Sequence, residues 1–310
     1  MSGLRGPLFA TLAITLFSVN DVIMKSLTDD FALHQAILFR STTGLLVTVL
    51  LMAPFLGGFG QLCTQRLGMH SLRACMVIFA NVFFFLGLAA LPLATNVALF
   101  FINPFVVTVL SVFVLGETVG PRRWGALAVG IAGVLLILRP GTDSFQAAAL
   151  FPLLAAFGYA GLNIMTRYLR DTENGVNMVF YIQLIFLLFC IVVGILVGDG
   201  RYGDQENPSL AFLLRAWVWP EWLDLPALIG IGFLASIGGY FISQAYRLAS
   251  VVVIAPFEFL ALPLSVLWGI FLFCEWPDIF AWSGISLILA AGLYTVYREQ
   301  HSAGDTEKPN

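Results

Sequence analysis

Charge is scarce in this 310-residue chain: 11% of the residues are Asp, Glu, Lys or Arg, and 59% are hydrophobic. A soluble globular protein carries about 25% charged and about 45–50% apolar residues. So few charged side chains cannot cover the surface that so many apolar ones would expose, which excludes a water-soluble domain of ordinary make-up. Catalytic parts are missing as well. The three histidines, His34, His70 and His301, fall at the ends of apolar runs or between them. No H-E-x-x-H, G-x-S-x-G or phosphate-binding loop occurs. Metal or triad chemistry inside a bilayer therefore lacks parts, and nothing points to ATP as the power source. Cys63, Cys75, Cys190 and Cys274 show no C-x-x-C or other ligand spacing and read as small buried hydrophobes. No metal site and no cofactor is expected.

Long apolar runs are what the chain has in place of charge. A spanning helix needs about 20 mainly apolar residues, because hydrocarbon is about 30 Å thick and a helix rises about 1.5 Å per residue. Ten such spans are predicted: Pro7–Leu27, Leu33–Phe55, Leu72–Leu91, Ala94–Leu115, Pro121–Leu138, Phe145–Leu169, Val176–Val197, Leu225–Leu248, Val251–Phe273 and Ile279–Tyr297. The first is too long for a signal-peptide core and contains Asp21 and Lys25, so it reads as a helix of the mature protein. Short joints, such as Pro92-Leu93 and Pro277-Asp278, set consecutive helices side by side and antiparallel.

Lys and Arg concentrate on the cytoplasmic side of a membrane protein. With ten spans and the N-terminus inside, the inner segments carry Arg5, Arg66, Arg73, Arg122, Arg123, Arg167, Arg170, Arg247, Arg298 and Lys308. The outer ones carry only Lys25, Arg139, Arg201 and Arg215. The expectation is a multi-pass protein of the cytoplasmic (inner) membrane with both termini in the cytoplasm. The longest loop, from Asp199 to Asp224, falls outside. Its tryptophan-rich part, Leu210–Trp222, reads either as a loop resting on the headgroups or as a lid over an outer vestibule.

The chain also matches itself. A shift of 158 residues places Glu117 on Glu275, Trp124 on Trp282, Phe83 on Phe241, Phe101 on Phe259 and Phe113 on Phe271. A shift of 142 places Phe9 on Phe151, Leu27 on Leu169 and Lys25 on Arg167. The expected architecture is all-α, with ten transmembrane helices as two inverted five-helix repeats, residues 1–142 and 143–310. Five is odd, so the second half enters the membrane upside down. Inverted repeats recur in secondary transporters, with the binding site near the midplane between the halves.

Several stretches carry a family likeness: Leu115-Gly116-Glu117 followed by Trp124-Gly125 and Gly130-x-x-Gly133, and Phe273-Cys274-Glu275-Trp276-Pro277-Asp278 followed by Gly284 and Gly292-Leu293-Tyr294. With Ser18-Val19-Asn20-Asp21, Lys25 and Phe39-Arg40, these resemble the EamA-type members of the drug/metabolite transporter superfamily. Cys274 departs from the glycine that often stands there. The resemblance covers about residues 7–298 and implies a ten-helix transporter of small metabolites. It also implies a cavity mainly between helices 1, 3, 4, 6, 8 and 9.

An ionisable group near the middle of a span costs about 2.5–3.5 kcal/mol or more, and usually faces a cavity or a partner. Asp21, Arg40 and Glu258 meet that description. Glu258 lies about 12 Å into its run, between Pro256 and Pro263. It reads as a substrate-binding and proton-coupling carboxylate, or as a buried acid paired with a neighbouring helix. Asp21 and Lys25 stand four apart on one helix face and read most simply as a local ion pair. Arg40 pairs with Asp21, anchors at the interface, or holds a substrate carboxylate. The prolines, with Pro104 beside Asn103 in the matching span, predict a bend in both halves. The neutral polar groups favoured for the path are Asn20, Asn81, Asn103, Asn163, Tyr240 and Gln244, whereas Gln183 is disfavoured. Glu117 and Glu275 read as acceptors at the start of the helices that follow them. Ala126, Gly130, Gly133, Gly194 and Gly198 allow close helix contact, within the bundle or in a homodimer.

The function these readings favour is secondary transport of a small zwitterionic or cationic metabolite, of amino-acid or amine type, by alternating access. The alternatives are a uniport or channel-like permease for a bulkier vitamin or nucleoside-like solute and, further off, a membrane-embedded enzyme. The expected partners are the substrate and the lipid bilayer, not nucleic acid.

Overall fold

Lipid offers no hydrogen bonds to a backbone, so a spanning segment must satisfy its own, and a helix does so within itself. A computed structural model of the protein describes residues 5–56, 58–115, 120–142, 145–169, 173–248 and 251–306. Glu117, Arg170 and Lys308, and the side chains of Arg123, Arg167, Arg247 and Arg298, lie outside the described residues. Within them the secondary structure is helical, with no strand. The first span is α1 (Arg5–Ser26). The second is α2 (Leu33–Val47), which runs on through a π-helical turn at Thr48–Met52 and a last turn at Ala53–Leu56. Then come α3 (Leu67–Ala90), the broken pair α4 (Leu93–Phe100) and α5 (Asn103–Leu115), and α6 (Pro121–Leu138). The second half holds α7 (Leu150–Leu169), α8 (Gly175–Val197), a short α9 (Pro208–Leu214) and α10 (Leu225–Leu248). It ends with a second broken pair, α11 (Val251–Glu258) and α12 (Ala261–Phe273), and α13 (Ile279–Thr306). Nine of these segments are long and apolar enough to cross a membrane, and α6 holds a shorter apolar helix, Trp124–Leu138, making ten.

The helices pair reciprocally. α1 packs on α10 and α7 packs on α3, while α2 meets α8 and α6 meets α13. When the halves are matched, α1 corresponds to α7 and α3 to α10. The first two contacts are therefore one contact made twice, and the other two join corresponding helices. Phe101 and Phe259, which coincide under the shift of 158, meet with ring centroids 5.2 Å apart. The two broken spans also break at matching places, at residues 101–102 and 259–260. Proline accounts for both breaks. Pro104 and Pro263 have no N–H to give to the carbonyls of Phe100 and Phe259, four residues back, and each ring crowds the preceding turn. The α6–α13 contact depends on glycine. A Cβ on Gly133 would sit 2.8 Å from the Gly284 carbonyl oxygen, so the two backbones touch where larger residues would hold them apart.

Several sequence expectations are corrected. α3 starts at Leu67 rather than Leu72, so Arg73, counted above with the inner segment, lies within the helix rather than at its start, and it is buried. Its Nε donates to Thr166 Oγ1 (2.9 Å) and its Nη1 to the Met178 carbonyl (3.1 Å), so the charge is held by α7 and α8 rather than by a loop. Cys190 is buried, but Cys63, Cys75 and Cys274 are exposed. Gly194 and Gly198 do not receive a helix; Trp217 fills the space beside both. The long loop is docked on protein. Phe212 of α9 is wholly buried, Ser209 Oγ donates to the Leu86 carbonyl (2.7 Å), and Arg215 Nη1 donates to the Thr28 carbonyl (3.1 Å). Trp219, 94% exposed, and Trp222 remain outside on that surface.

Candidate functional site

The end of α1 is tied down by charge. Lys25 does not pair with Asp21; its Nζ lies 2.9 Å from Glu275 Oε1 and donates to the Leu91 carbonyl (2.7 Å). Glu275 Oε2 in turn accepts from the backbone N–H of Leu93 (2.8 Å). That N–H is at the first turn of α4, where backbone donors lack partners within the helix. Glu275 thus caps a helix of the other half, not the one that follows it. Asp278 takes the role expected of Glu275, accepting from the Ala281 N–H (2.8 Å) at the start of α13. Asp278 also pairs with Arg139, and that bond with the backbone donors around it holds its carboxyl below the usual carboxylate range. One face of the molecule is therefore closed by bonds that join both halves.

One to two turns below that face lies a half-buried polar group on three helices. Asp21 is five residues from the end of α1 and Arg40 seven from the start of α2, about 8 and 10 Å in. The Arg40 guanidinium and the Asp21 carboxylate act on each other electrostatically. Arg40 Nη1 donates to Asn81 Oδ1 (2.8 Å), and Asn81 Nδ2 donates to the Val77 carbonyl (3.0 Å). The guanidinium stands over Phe85, 5.6 Å from the ring centroid. Asn20 Nδ2 is 3.5 Å from Asp21 Oδ1. The sequence-predicted residues Asn20, Asp21, Arg40 and Asn81 therefore form one cluster. Asp21 and Ser18 open on a hollow of about 40 Å³ that is also lined by Phe17, Val97, Ala261 and Ser265. At about 10–15 Å³ per water it has room for about three waters. A metabolite enters it only if the helices move apart.

Tyr240 and Gln244 lie elsewhere. With Gln61, Asn174, Val179 and Ser243 they line a cleft at the opposite end of the bundle. There the loops are stapled through Glu173, which accepts from Thr64 Oγ1 (2.7 Å) and Asn177 Nδ2 (2.8 Å) and lies 3.4 Å from His70 Nε2. Glu258 is the last residue of α11, half-buried at the break, and its carboxylate acts electrostatically on the Tyr159 hydroxyl of α7. Asn103 sits at the matching break with its Oδ1 buried, and Asn163 is half-buried on α7. Gln183 is buried against Gly44 and Ser236 and lines neither space. The predicted residues thus divide among three places along the bundle. Sequence reasoning missed Tyr159 and the true partners of Lys25. The match of Glu275 with Glu117, and of Lys25 with Arg167, was the signal for the latter.

Comparison with known proteins identifies the architecture. Residues 4–139 match the EamA-like transporter family. The chain is 30% identical over 296 residues to a riboflavin transporter of Rhizobium johnstonii, covering 95% of this chain and 91% of the relative. It is 26% identical over 301 residues to an S-adenosylmethionine uptake transporter of Rickettsia prowazekii, covering 96% and 95%. A solved crystal structure superposes with a TM-score of 0.66 at 18% identity, over 98% of this chain and 99% of the other, and shares the fold. Ten apolar crossings, a charged cluster inside them and these relatives lead to one conclusion: the chain belongs to the EamA-like transporter family of the drug/metabolite transporter superfamily and is a multi-pass membrane transporter of small metabolites.

Proposed function

We infer that the protein is a secondary transporter of the cytoplasmic membrane, with both termini inside, for a zwitterionic metabolite that carries an amino-acid group. The observation that supports this most directly is Asp21, which lines the hollow, with the Arg40 guanidinium within electrostatic range of its carboxylate. Buried charges are tolerated only when compensated. A zwitterion satisfies that rule when it enters: its carboxylate meets Arg40, as a planar fork suits, and its ammonium meets Asp21 and Asn20. The count of opposite charges stays balanced before and after binding. A cation alone would leave Arg40 unpaired, and an anion alone would leave Asp21 unpaired.

Movement follows from the two halves, residues 1–142 and 143–310. In the state described here the face bearing Lys25 and Glu275 is shut. Alternating access needs that face to open while the other shuts, by rocking one half against the other about the Phe101–Phe259 contact. The gradient of the solute, or of H⁺, Na⁺ or a second solute, supplies the drive. We assign proton exchange to Glu258, the carboxylate at the helix break. S-Adenosylmethionine, the substrate named for one relative, has the required amino-acid zwitterion. Riboflavin, named for another, has none, and it stands for the second reading, a bulkier and uncharged vitamin.

The test is uptake by purified protein in liposomes, with labelled S-adenosylmethionine, riboflavin, amino acids and quaternary amines, with and without a pH gradient. Glu258→Gln is assayed beside the wild type. Saturable uptake of the amino-acid-bearing solutes supports the reading. Uptake of riboflavin alone would transfer it to the second, and pH-coupled transport by Glu258→Gln at the wild-type rate would take Glu258 out of the mechanism.

A further inference from the structure

Tyr159 has no part in the zwitterion site described above, yet its surroundings are those of a ligand contact. It keeps 37% of its surface free, a large share for a ring enclosed by the bundle. Its helix, α7, is flanked by α3, α4 and α5. The ring faces α4, meeting Phe100 edge-on with centroids 5.4 Å apart, and Phe100 meets Phe84 at 5.2 Å. Phe100 of α4, Glu258 of α11 and Arg73 of α3 all act on Tyr159, so the residue stands among helices of the bundle. Two helix breaks converge on it. Phe100 ends α4 and Glu258 ends α11, and these two residues coincide under the shift of 158. Phe100 gives Tyr159 an aromatic neighbour, and Glu258 gives it a carboxylate within electrostatic range. Arg73, the cation that also acts on the hydroxyl, is committed to Thr166 and Met178. Under the shift of 142 Tyr159 coincides with Phe17, which lines the hollow beside Asp21.

An aromatic face attracts a cation through the negative potential of the ring, and most strongly where water is excluded. A carboxylate within electrostatic range of the ring adds negative potential that reaches a cation without a direct hydrogen bond. The combination suits cations that donate no hydrogen bonds, such as quaternary ammonium or sulfonium groups, because ring and charge attract them without a directed bond. We propose that Tyr159 is a specificity-determining residue, forming with Phe100 and Glu258 an aromatic–acid corner that binds a permanently cationic group. The corner deepens the reading under Proposed function, because it supplies a place for a positive centre additional to the zwitterion.

The decisive test uses purified full-length protein and two small probes, choline and dimethylbutanol, its uncharged carbon isostere. Binding is read from the concentration dependence of the shift in thermal unfolding midpoint. Wild type is expected to prefer choline. Tyr159→Leu should weaken choline about 10-fold and leave the isostere unchanged, while Tyr159→Phe, which keeps the ring, should stay within about 3-fold. Glu258→Gln keeps volume and helix intact and should lose the preference as well, which covers a failure of Tyr159→Leu to fold. Equal binding of the two probes by wild type would overturn the corner. So would an unchanged choline preference in Glu258→Gln or in a folded Tyr159→Leu. A choline preference that depends on Tyr159, together with no S-adenosylmethionine uptake, would keep the corner and remove the zwitterion reading.

Discussion

Removing the Glu275 carboxylate should unlatch one face of the transporter. Two interactions are at stake: the ion pair with Lys25 at 2.9 Å and the hydrogen bond from the Leu93 N–H at 2.8 Å. Both charged side chains are largely sheltered, at 12% and 24% exposure. The pair therefore lies between the exposed case, worth up to about 1 kcal/mol, and the buried one, where breakage costs about 3–5 kcal/mol. About 1–2 kcal/mol is a fair value, because Lys25 retains the Leu91 carbonyl. The cap contributes about 1 kcal/mol more. Glu275→Gln keeps a carbonyl oxygen for Leu93 and loses only the pair; Glu275→Ala loses both. At 1.4 kcal/mol per tenfold, the open population should rise about 10-fold in the first and about 30- to 100-fold in the second. The reporter is Ser265→Cys, since Ser265 is buried and lines the hollow. The four native cysteines are replaced, and labelling by a membrane-impermeant maleimide is timed from the Lys25 side. If opening is fast relative to labelling, the rates follow the populations. Equal rates in wild type and both variants would refute the latch.

Other outcomes follow from the same structure. Arg73→Ala should lower the unfolding midpoint, losing about 2–3 kcal/mol with its two hydrogen bonds; Arg73→Lys should not restore it, because both bonds use the guanidinium fork. Gly133→Val should cost about 1–3 kcal/mol or block assembly, because its Cβ meets the Gly284 carbonyl at 2.8 Å; gel filtration and thermal unfolding report either result. Asp278→Ala should destabilise by about 1 kcal/mol through loss of the α13 cap. The folded carboxyl titrates below its ordinary value of 3.8, so its contribution is full above that pH and disappears as the pH falls through the lowered value. The difference in midpoint between wild type and Asp278→Ala should therefore narrow on acidification and not on alkalinisation.

Span number was legible because lipid imposes one rule on every crossing, and apolar length reports it; helix pairing was not, for short joints suggested consecutive neighbours whereas α1 packs on α10 and α2 on α8. Matching Glu117 with Glu275 and Lys25 with Arg167 pointed to the residues at the closed face. It could not show that Lys25 and Glu275 bind each other, because that contact joins opposite ends of the chain. The Asp21–Lys25 reading failed for a related reason. Spacing of four puts two side chains on one helix face, but Arg40 from the next helix and Glu275 from a distant loop compete for them, and tertiary contacts prevail. Arg73 was read as the second residue of its span and counted with the inner segment because an arginine counts against apolar depth; Thr166 and the Met178 carbonyl remove that objection. Tyr159 carried no signal, since one tyrosine in an aromatic-rich helix is indistinguishable from core until its neighbours are known.

The most direct measurement is counterflow of labelled S-adenosylmethionine in liposomes containing wild type, Asp21→Asn or Arg40→Gln. Exchange by the wild type, with loss of at least about 10-fold in each variant for one missing charge contact, is the result expected of a zwitterion held between these two side chains. Full exchange by both charge-neutralised proteins would contradict the assignment of the site.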